Sequence, residues 1–345
     1  MCGSGHTHSS GLLRREFLQS VGLGATILSM SGVAPSVLAE AFSKTGKRKP
    51  KYLGAFLYTP TSELQKEGYY SWPGSSFDPE GLEKEYRQQF ADLSEKMGFE
   101  LEWEPSPIGR TEQFQQLANR IETTKPDGVL LAAFKKTVWQ SHGKDLLEAI
   151  SPPSVVLAPL GVLLIPSVYE LEAEPGVCMI SSSNPLDDVE MPLRMLGANV
   201  LMAESVILNL QGDNREEEIR VPGLNTRVRT VPRQTYIDVY QAMRDTDEVR
   251  DLARDYLGRA VEVVEPNEAD VLDAAKSYFA LKKVLESENA DALMMDCLPG
   301  LKFPHQHVPP CMGFMSLRDE GIVAGCESDL DATLTLMLLQ NLFGT

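Results

Sequence analysis

From residue 52 onward, short apolar runs take turns with stretches in which apolar residues return every three or four positions. That alternation admits few folds, because strands separated by helices pair in parallel and need cover on both faces. Residues 129–134, Val-Leu-Leu-Ala-Ala-Phe, contain no polar side chain, as a strand buried on both faces requires. Further strands are expected at 52–58, 99–103 and 154–157. Between them Leu82, Tyr86, Phe90, Leu93 and Met97 return to one side of a helix that Gly98 should end, and Phe114, Leu117, Ala118 and Ile121 mark the next. A third helix is expected near 144–150.

The segment 166–247 is less regular. Pro185, Pro192, Pro222 and Pro232 interrupt it, and the charged run 213–218 reads as a solvated loop. Pro166 marks the expected passage into a second domain. Alternation resumes with a strand at 261–264 and a helix at 269–288, on which Val271, Ala274, Tyr278, Leu281 and Leu285 share a face. A strand at 292–296, a helix at 311–320, a strand at 322–326 and a helix at 329–343 complete the chain. The expected fold is α/β: two Rossmann-like three-layer α/β/α domains with mainly parallel sheets, at 52–165 and 166–345. The last helix carries Leu330, Leu334, Leu336, Met337, Leu338, Leu339, Leu342 and Phe343. It is apolar nearly all round and calls for cover on more than one side. A homo-oligomer or a partner chain is the expected source of that cover.

The N-terminal segment reads as an address. Arg14 and Arg15, followed by Glu16, Phe17 and Leu18, precede a weakly apolar stretch broken by Gly22, Gly24, Ser29, Ser31 and Gly32. This arrangement resembles a twin-arginine export signal, and the glycines and serines make the stretch a poor membrane span. Val37, Leu38 and Ala39 place cleavage after Ala39, giving a signal peptide at 1–39 and a mainly basic tether at 40–51. The expected location is periplasmic or otherwise extracytoplasmic, with no stable membrane anchor after cleavage. The competing reading is an amphipathic helix that opens a cytosolic domain.

Chemistry narrows by exclusion. With 49 acidic and 32 basic side chains and a net charge of −17, the surface repels phosphate and argues against nucleic acid as a partner. No phosphate loop, nucleophile elbow or His-Glu-x-x-His motif occurs. Beyond residue 39 the histidines are His142, His305 and His307, which argues against a Ser-His-Asp triad. Cys178, Cys297, Cys311 and Cys326 lie in or beside apolar runs and read as buried thiols. Glu327 stands where a strand ends and a helix begins, the edge at which ligands bind in open parallel sheets. Asp329 reads as the cap of that helix, and both acids also suit an ordinary helix start. Tyr69, Tyr70 and Trp72 sit in a glycine-rich loop that could stack on a sugar ring or form a plain turn.

Pro310 and Cys311, then Ser316, Leu317 and residues 319–322, then Cys326, Glu327 and Asp329 followed by residues 332–339, carry a resemblance. Over about 290–344 this pattern looks like the L-fucose/L-arabinose isomerase superfamily, especially its fucose isomerase-like members. The resemblance implies aldose–ketose interconversion of a small-molecule sugar through an enediol, with a divalent metal, usually manganese. By the same resemblance Glu327 is the metal-binding and acid/base glutamate, and Asp329 its supporting aspartate. Family members continue into a β-rich third domain that brings a second acidic ligand and a histidine, positions with no counterpart up to Thr345. The expectation is therefore an isomerase-like chain that could be inactive, with His305, His307 and Glu327 as a replacement metal set and Asp296 as a further acid. The alternatives are an exported non-catalytic sugar-binding or scaffold protein of the same fold, and a two-lobed binding receptor.

Overall fold

A computed structural model describes residues 47–67, 78–159, 174–182, 184–302 and 307–343. The signal segment with Arg14, Arg15 and Ala39, the aromatic loop with Tyr69, Tyr70 and Trp72, Pro166 and His305 lie outside the described residues. The elements are α/β throughout and build two five-stranded, mostly parallel sheets, as the alternation requires. Both sheets belong to one compact unit, Ser36–Thr345.

The first sheet contains β1 (Lys51–Leu57), β2 (Glu100–Trp103), β3 (Gly128–Ala133), β4 (Ser154–Ala158) and β5 (Val177–Ser181). Its order is β2-β1-β3-β4-β5, with every neighbour parallel. The helices between them are α1 (Thr61–Glu67), α2 (Pro79–Met97), α3 (Thr111–Thr124) and α4 (Lys136–Ala149). Asp78 caps α2 by accepting from the Gly81 N–H at 2.9 Å, and Gly98 ends it in the left-handed region at φ 77°. Tyr52, Phe56, Leu130 and Ala132 meet Tyr86 and Phe90 of α2 on one face. Leu53, Leu57, Val129 and Leu131 meet Phe114, Leu117 and Ile121 of α3 and Trp139 of α4 on the other. The apolar run at 129–134 is buried on both sides, as its composition demands.

The passage to the second sheet lies beyond the expected crossing at 166, since β5 still pairs with β4. Helix α5 (Glu190–Glu204) makes the passage. Its Leu193, Leu196 and Val200 pack on the first sheet, while its Met202 joins the core under the second. Pro192 sits in the first turn of α5, where the backbone N–H has no intrahelical partner to lose. The proline that made this stretch look irregular is therefore compatible with a helix.

The second sheet contains β6 (Val206–Leu210), β7 (Ile219–Arg220), β8 (Arg227–Val231), β9 (Ala292–Met295) and β10 (Ala324–Cys326), in the order β10-β9-β6-β8-β7. All neighbours are parallel except β7 on β8. Helices α6 (Gln234–Ala242), α7 (Asp247–Arg259), α8 (Glu268–Glu288), α9 (Pro299–Lys302), α10 (Cys311–Asp319) and α11 (Leu330–Phe343) complete the chain. Leu208, Leu210, Met295 and Ala324 face Tyr236 of α6, Leu281 and Leu285 of α8, and Phe314 and Leu317 of α10. The opposite face carries Ile207, Val228 and Met294 against Leu334 and Met337 of α11.

Two expectations need correction. The strand expected at 261–264 is not formed: those residues lie outside any strand, and Val261, Val263 and Val264 are exposed. The position beside β8 is taken by β7, and this alternating stretch pairs with no strand among the described residues. The charge run 213–218 is exposed as expected, although Arg215 binds Glu288. Cover for the last helix comes in part from within the chain, because α11 packs along α5 and under β9 and β10. Arg194 of α5 donates to the Leu342 carbonyl at 3.3 Å, while Leu339 stays exposed.

The last residues of the expected tether are docked. Lys47 binds Asp291 at 3.1 Å and donates to Ser205 Oγ at 2.6 Å. Arg48 makes two 2.6 Å hydrogen bonds to Asp127 and reaches Glu204 at 2.8 Å. These contacts tie the segment to residues that precede β3 and β9, so it straps the amino edges of both sheets. No helix among the described residues is long and apolar enough to cross a membrane.

Candidate active site at the carboxyl edge of the second sheet

Strands β10, β9, β6 and β8 run parallel, so their carboxyl ends open on one side of the sheet. That edge is where open α/β sheets bind ligands. Glu327 is the first residue past β10 and is exposed. Among the described residues its side chain makes no hydrogen bond or ion pair.

The turn that presents Glu327 is unusual. Glu327 and Ser328 both adopt the left-handed region, at φ 55° and 54°. That region costs a residue with a Cβ about 1–2 kcal/mol. Three contacts hold the turn against that cost. The Ser328 N–H donates to the Met295 carbonyl at 3.0 Å, its hydroxyl donates to Asn209 Oδ1 at 2.8 Å, and the Asp329 N–H donates to the Cys326 carbonyl at 3.0 Å. Asn209 is buried on β6, and its Nδ2 donates to Gln211 Oε1 at 3.0 Å and to Thr230 Oγ1 at 3.3 Å. A polar chain thus runs across the edge from β8 through β6 to the Glu327 turn.

Asp329 is a cap, as expected: its Oδ1 accepts from the Ala332 N–H at 2.9 Å. Thr333 donates its hydroxyl to the Asp329 carbonyl at 2.6 Å and lies over Gly325, where a Cβ would strike Thr333 Oγ1. Gly325 is what lets α11 approach β10 this closely. Asp296, just past β9, is paired with Arg233 Nη1 at 3.0 Å.

His307 is deeply buried, with its ring edge-on to Tyr236 at 5.5 Å and Nδ1 2.9 Å from the Val308 carbonyl. Burial, with the Arg233 cation adding to it, lowers its pKa from the ordinary 6.5, against the opposing pull of that carbonyl. The imidazole is therefore neutral at pH 7. Its companion His305 lies outside the described residues. His142, half-buried on α4, stacks at a tilt on Phe114 of α3, away from this edge.

The thiols divide. Cys297 is buried, Cys178 half-buried, and Cys311 and Cys326 exposed, so the expectation of four buried thiols holds for Cys297 and fails for the two at the edge. Cys297 and Cys326 sulfurs lie 3.6 Å apart. Burial, the Cys297 thiol, and the charges of Cys311 and Glu327 push the Cys326 thiol up to about 11.

The comparisons with known proteins bear on this arrangement. No family model matches the chain. Sulfoquinovose isomerases of Priestia aryabhattai and of Priestia megaterium are each 32% identical to it over 78 residues, which is 23% of this chain. Part of this chain is similar to sugar isomerases. The match spans 17% of the length of those relatives, so their activity is not carried over as a whole.

Of the residues singled out in the sequence, the structure brings Glu327, Asp329 and Asp296 to one edge, and of these three Glu327 alone is unengaged among the described residues. Among the described residues no three histidine, cysteine or carboxylate side chains gather as a ready metal set. Asn209, Ser328 and Arg233 were not legible as site residues. Asn209 is the one polar residue in an apolar strand, Val-Ile-Leu-Asn-Leu, and that interruption was the available signal.

Proposed function

We propose that this chain is a sugar isomerase-like protein acting on an aldose–ketose pair, with Glu327 as the group that moves the proton. The observation that supports this reading is a carboxylate unengaged among the described residues and set on a left-handed turn at the carboxyl edge of a parallel sheet. Isomerisation takes a proton from the carbon bearing a hydroxyl beside the carbonyl and returns it to the neighbouring carbon. A carboxylate held within reach of both carbons can accept that proton and give it back. The turn fixes where the Glu327 side chain leaves the backbone, at the edge where a sugar would lie. Asn209 and Ser328 hold the turn, and the Arg233–Asp296 pair lines the edge beside it.

A divalent metal, manganese by the resemblance, would polarise the two sugar oxygens when bound. Glu327 is the described carboxylate able to hold it. His305 and His307 remain the proposed companions from the sequence, but the inward packing of His307 means it would have to leave Tyr236 to serve. The described residues do not complete a ligand set, so the proton transfer is assigned to Glu327 alone. Sulfoquinovose, the sugar in the relatives' name, is the first to test.

The experiment is deuterium exchange at the sugar carbon next to the carbonyl, followed by NMR with added manganese, alongside the metal content of the purified protein. Wild type should exchange, and Glu327→Gln should lose about a hundredfold or more. Wild-type protein that exchanges no aldose or ketose would remove the isomerase reading. A second reading, a sugar-binding protein without turnover, is favoured by Asp296 and Asp329 being engaged elsewhere; it predicts sugar binding without exchange.

We also propose export by the twin-arginine route, on Arg14 and Arg15, to be tested by locating the protein after Arg14→Lys and Arg15→Lys. The exposed Met191 and Met195 of α5 and Leu339 of α11 support a homo-oligomer or partner chain, and a protein that sediments as a monomer at high concentration in ultracentrifugation would count against the homo-oligomer.

A further inference from the structure

The three cysteines at the carboxyl edge of the second sheet are not used by the proton transfer proposed above. Cys326 ends β10 and pairs in register with Met295 of β9. Cys297 lies two residues beyond the end of β9 and packs in the same core as Met295 and as Ala324, whose side chain shares a face of β10 with Cys326. That face is the one packed by α8 and α10. The two sulfurs are 3.6 Å apart, and one of them, Cys326, is exposed while the other is buried.

We infer that Cys297 and Cys326 form an oxidisable pair that closes into a disulfide between the segment just past β9 and the end of β10, directly before the Glu327 turn. The sulfurs must approach by about 1.5 Å to reach bonding distance, a shift that rotation of the exposed Cys326 side chain can supply. The co-reactant is a small soluble disulfide. The sulfur of Cys326 gives up its proton to solvent, attacks one sulfur of that reagent and expels the other half, which leaves as a thiol, so that a mixed disulfide forms. The sulfur of Cys297 then attacks Cys326 Sγ and expels the second half. One reagent disulfide is reduced to two thiols and the two cysteine thiols are oxidised to one bond, with their two protons carried off by the products. The burial of Cys297 favours the second step over persistence of the mixed disulfide, because its sulfur already touches Cys326 while water and further reagent do not reach it. The inference stands on the sulfur geometry and does not depend on isomerase activity.

The test uses the full chain, first reduced, then incubated with oxidised glutathione, alkylated, digested and mapped by mass spectrometry. A peptide pair joined through Cys297 and Cys326, lighter by two hydrogens, is expected, and two fewer alkylated thiols per chain. The Cys311→Ser variant should keep this crosslink. In Cys326→Ser, whose changed residue is exposed and whose folding is checked by circular dichroism, the crosslink should vanish and Cys297 should stay alkylatable only after unfolding. A bond from Cys326 to Cys311, a stable glutathione adduct on Cys326, or full alkylation of both cysteines after oxidation would each overturn the inference.

Discussion

Glu327 and Ser328 place two side-chain-bearing residues in backbone space that favours glycine. The position before the helix would fold more easily with glycine, and a carboxylate stands there instead. Glu327→Gly should therefore raise stability by up to about 1 kcal/mol, the relief of left-handed strain less the larger entropy a glycine loses on folding. The same variant should abolish exchange of sugar hydrogen, while Glu327→Gln keeps wild-type stability within a few tenths of a kcal/mol. Denaturant titration of the three proteins decides this; a Glu327→Gly protein less stable than wild type would mean that the turn is not strained. Asn209 is the partner that holds Ser328. Asn209→Ala strands the Ser328 hydroxyl at a partly buried site and removes the donor to Thr230, and should cost about 1–3 kcal/mol, read from the midpoint shift in urea.

Between elements, close approach decides more than propensity. Helix α11 reaches β10 only because position 325 has no side chain to meet Thr333. Gly325→Ala is expected to lose roughly 1–3 kcal/mol through displacement of α11, with the midpoint of thermal unfolding as the check; an unchanged midpoint would show that the helix can slide freely. Helices with one apolar stripe were legible from spacing, as α2, α3 and α8 show, and Gly98 was legible as the end of α2, whereas the Asn267 cap of α8 emerged only from the structure. Helix α5 was not legible, because nine of its residues are buried between two sheets and a helix buried all round leaves no period to read. The stretch 261–264 erred the other way. Its alternation has the form of a strand, but a strand exists only beside another with open hydrogen-bonding groups.

Across the molecule, stability should depend on pH through groups that folding perturbs in known directions. The His307 pKa is lowered by burial, so its contribution is fully present above the ordinary 6.5 and is lost as pH falls toward the lower folded value, where the buried ring must take a proton. The Glu288 carboxyl is pulled below its ordinary 4.5 chiefly by the hydrogen-bonded Arg215; its contribution is present above that value and declines as pH falls below it. Melting temperature measured against pH should therefore fall in two stages on acidification. His307→Gln should flatten the first stage alone, and a first stage unchanged in that variant would assign it to another group.

Local sequence determined the elements whose patterns are written within a dozen residues: the fully apolar strands, the one-sided helices, their caps, and a carboxylate at a strand-to-helix boundary. Those features follow from periodicity and from backbone groups that must find partners near by. Tertiary structure alone decided which strand ends share an edge, that Asp296 is neutralised by Arg233 while Glu327 has no partner among the described residues, that His307 turns to Tyr236, and that two thiols 29 residues apart meet. Each of these depends on strand order and on the direction of a side chain across a sheet. Both are set by packing between distant segments, and no spacing along the chain encodes them.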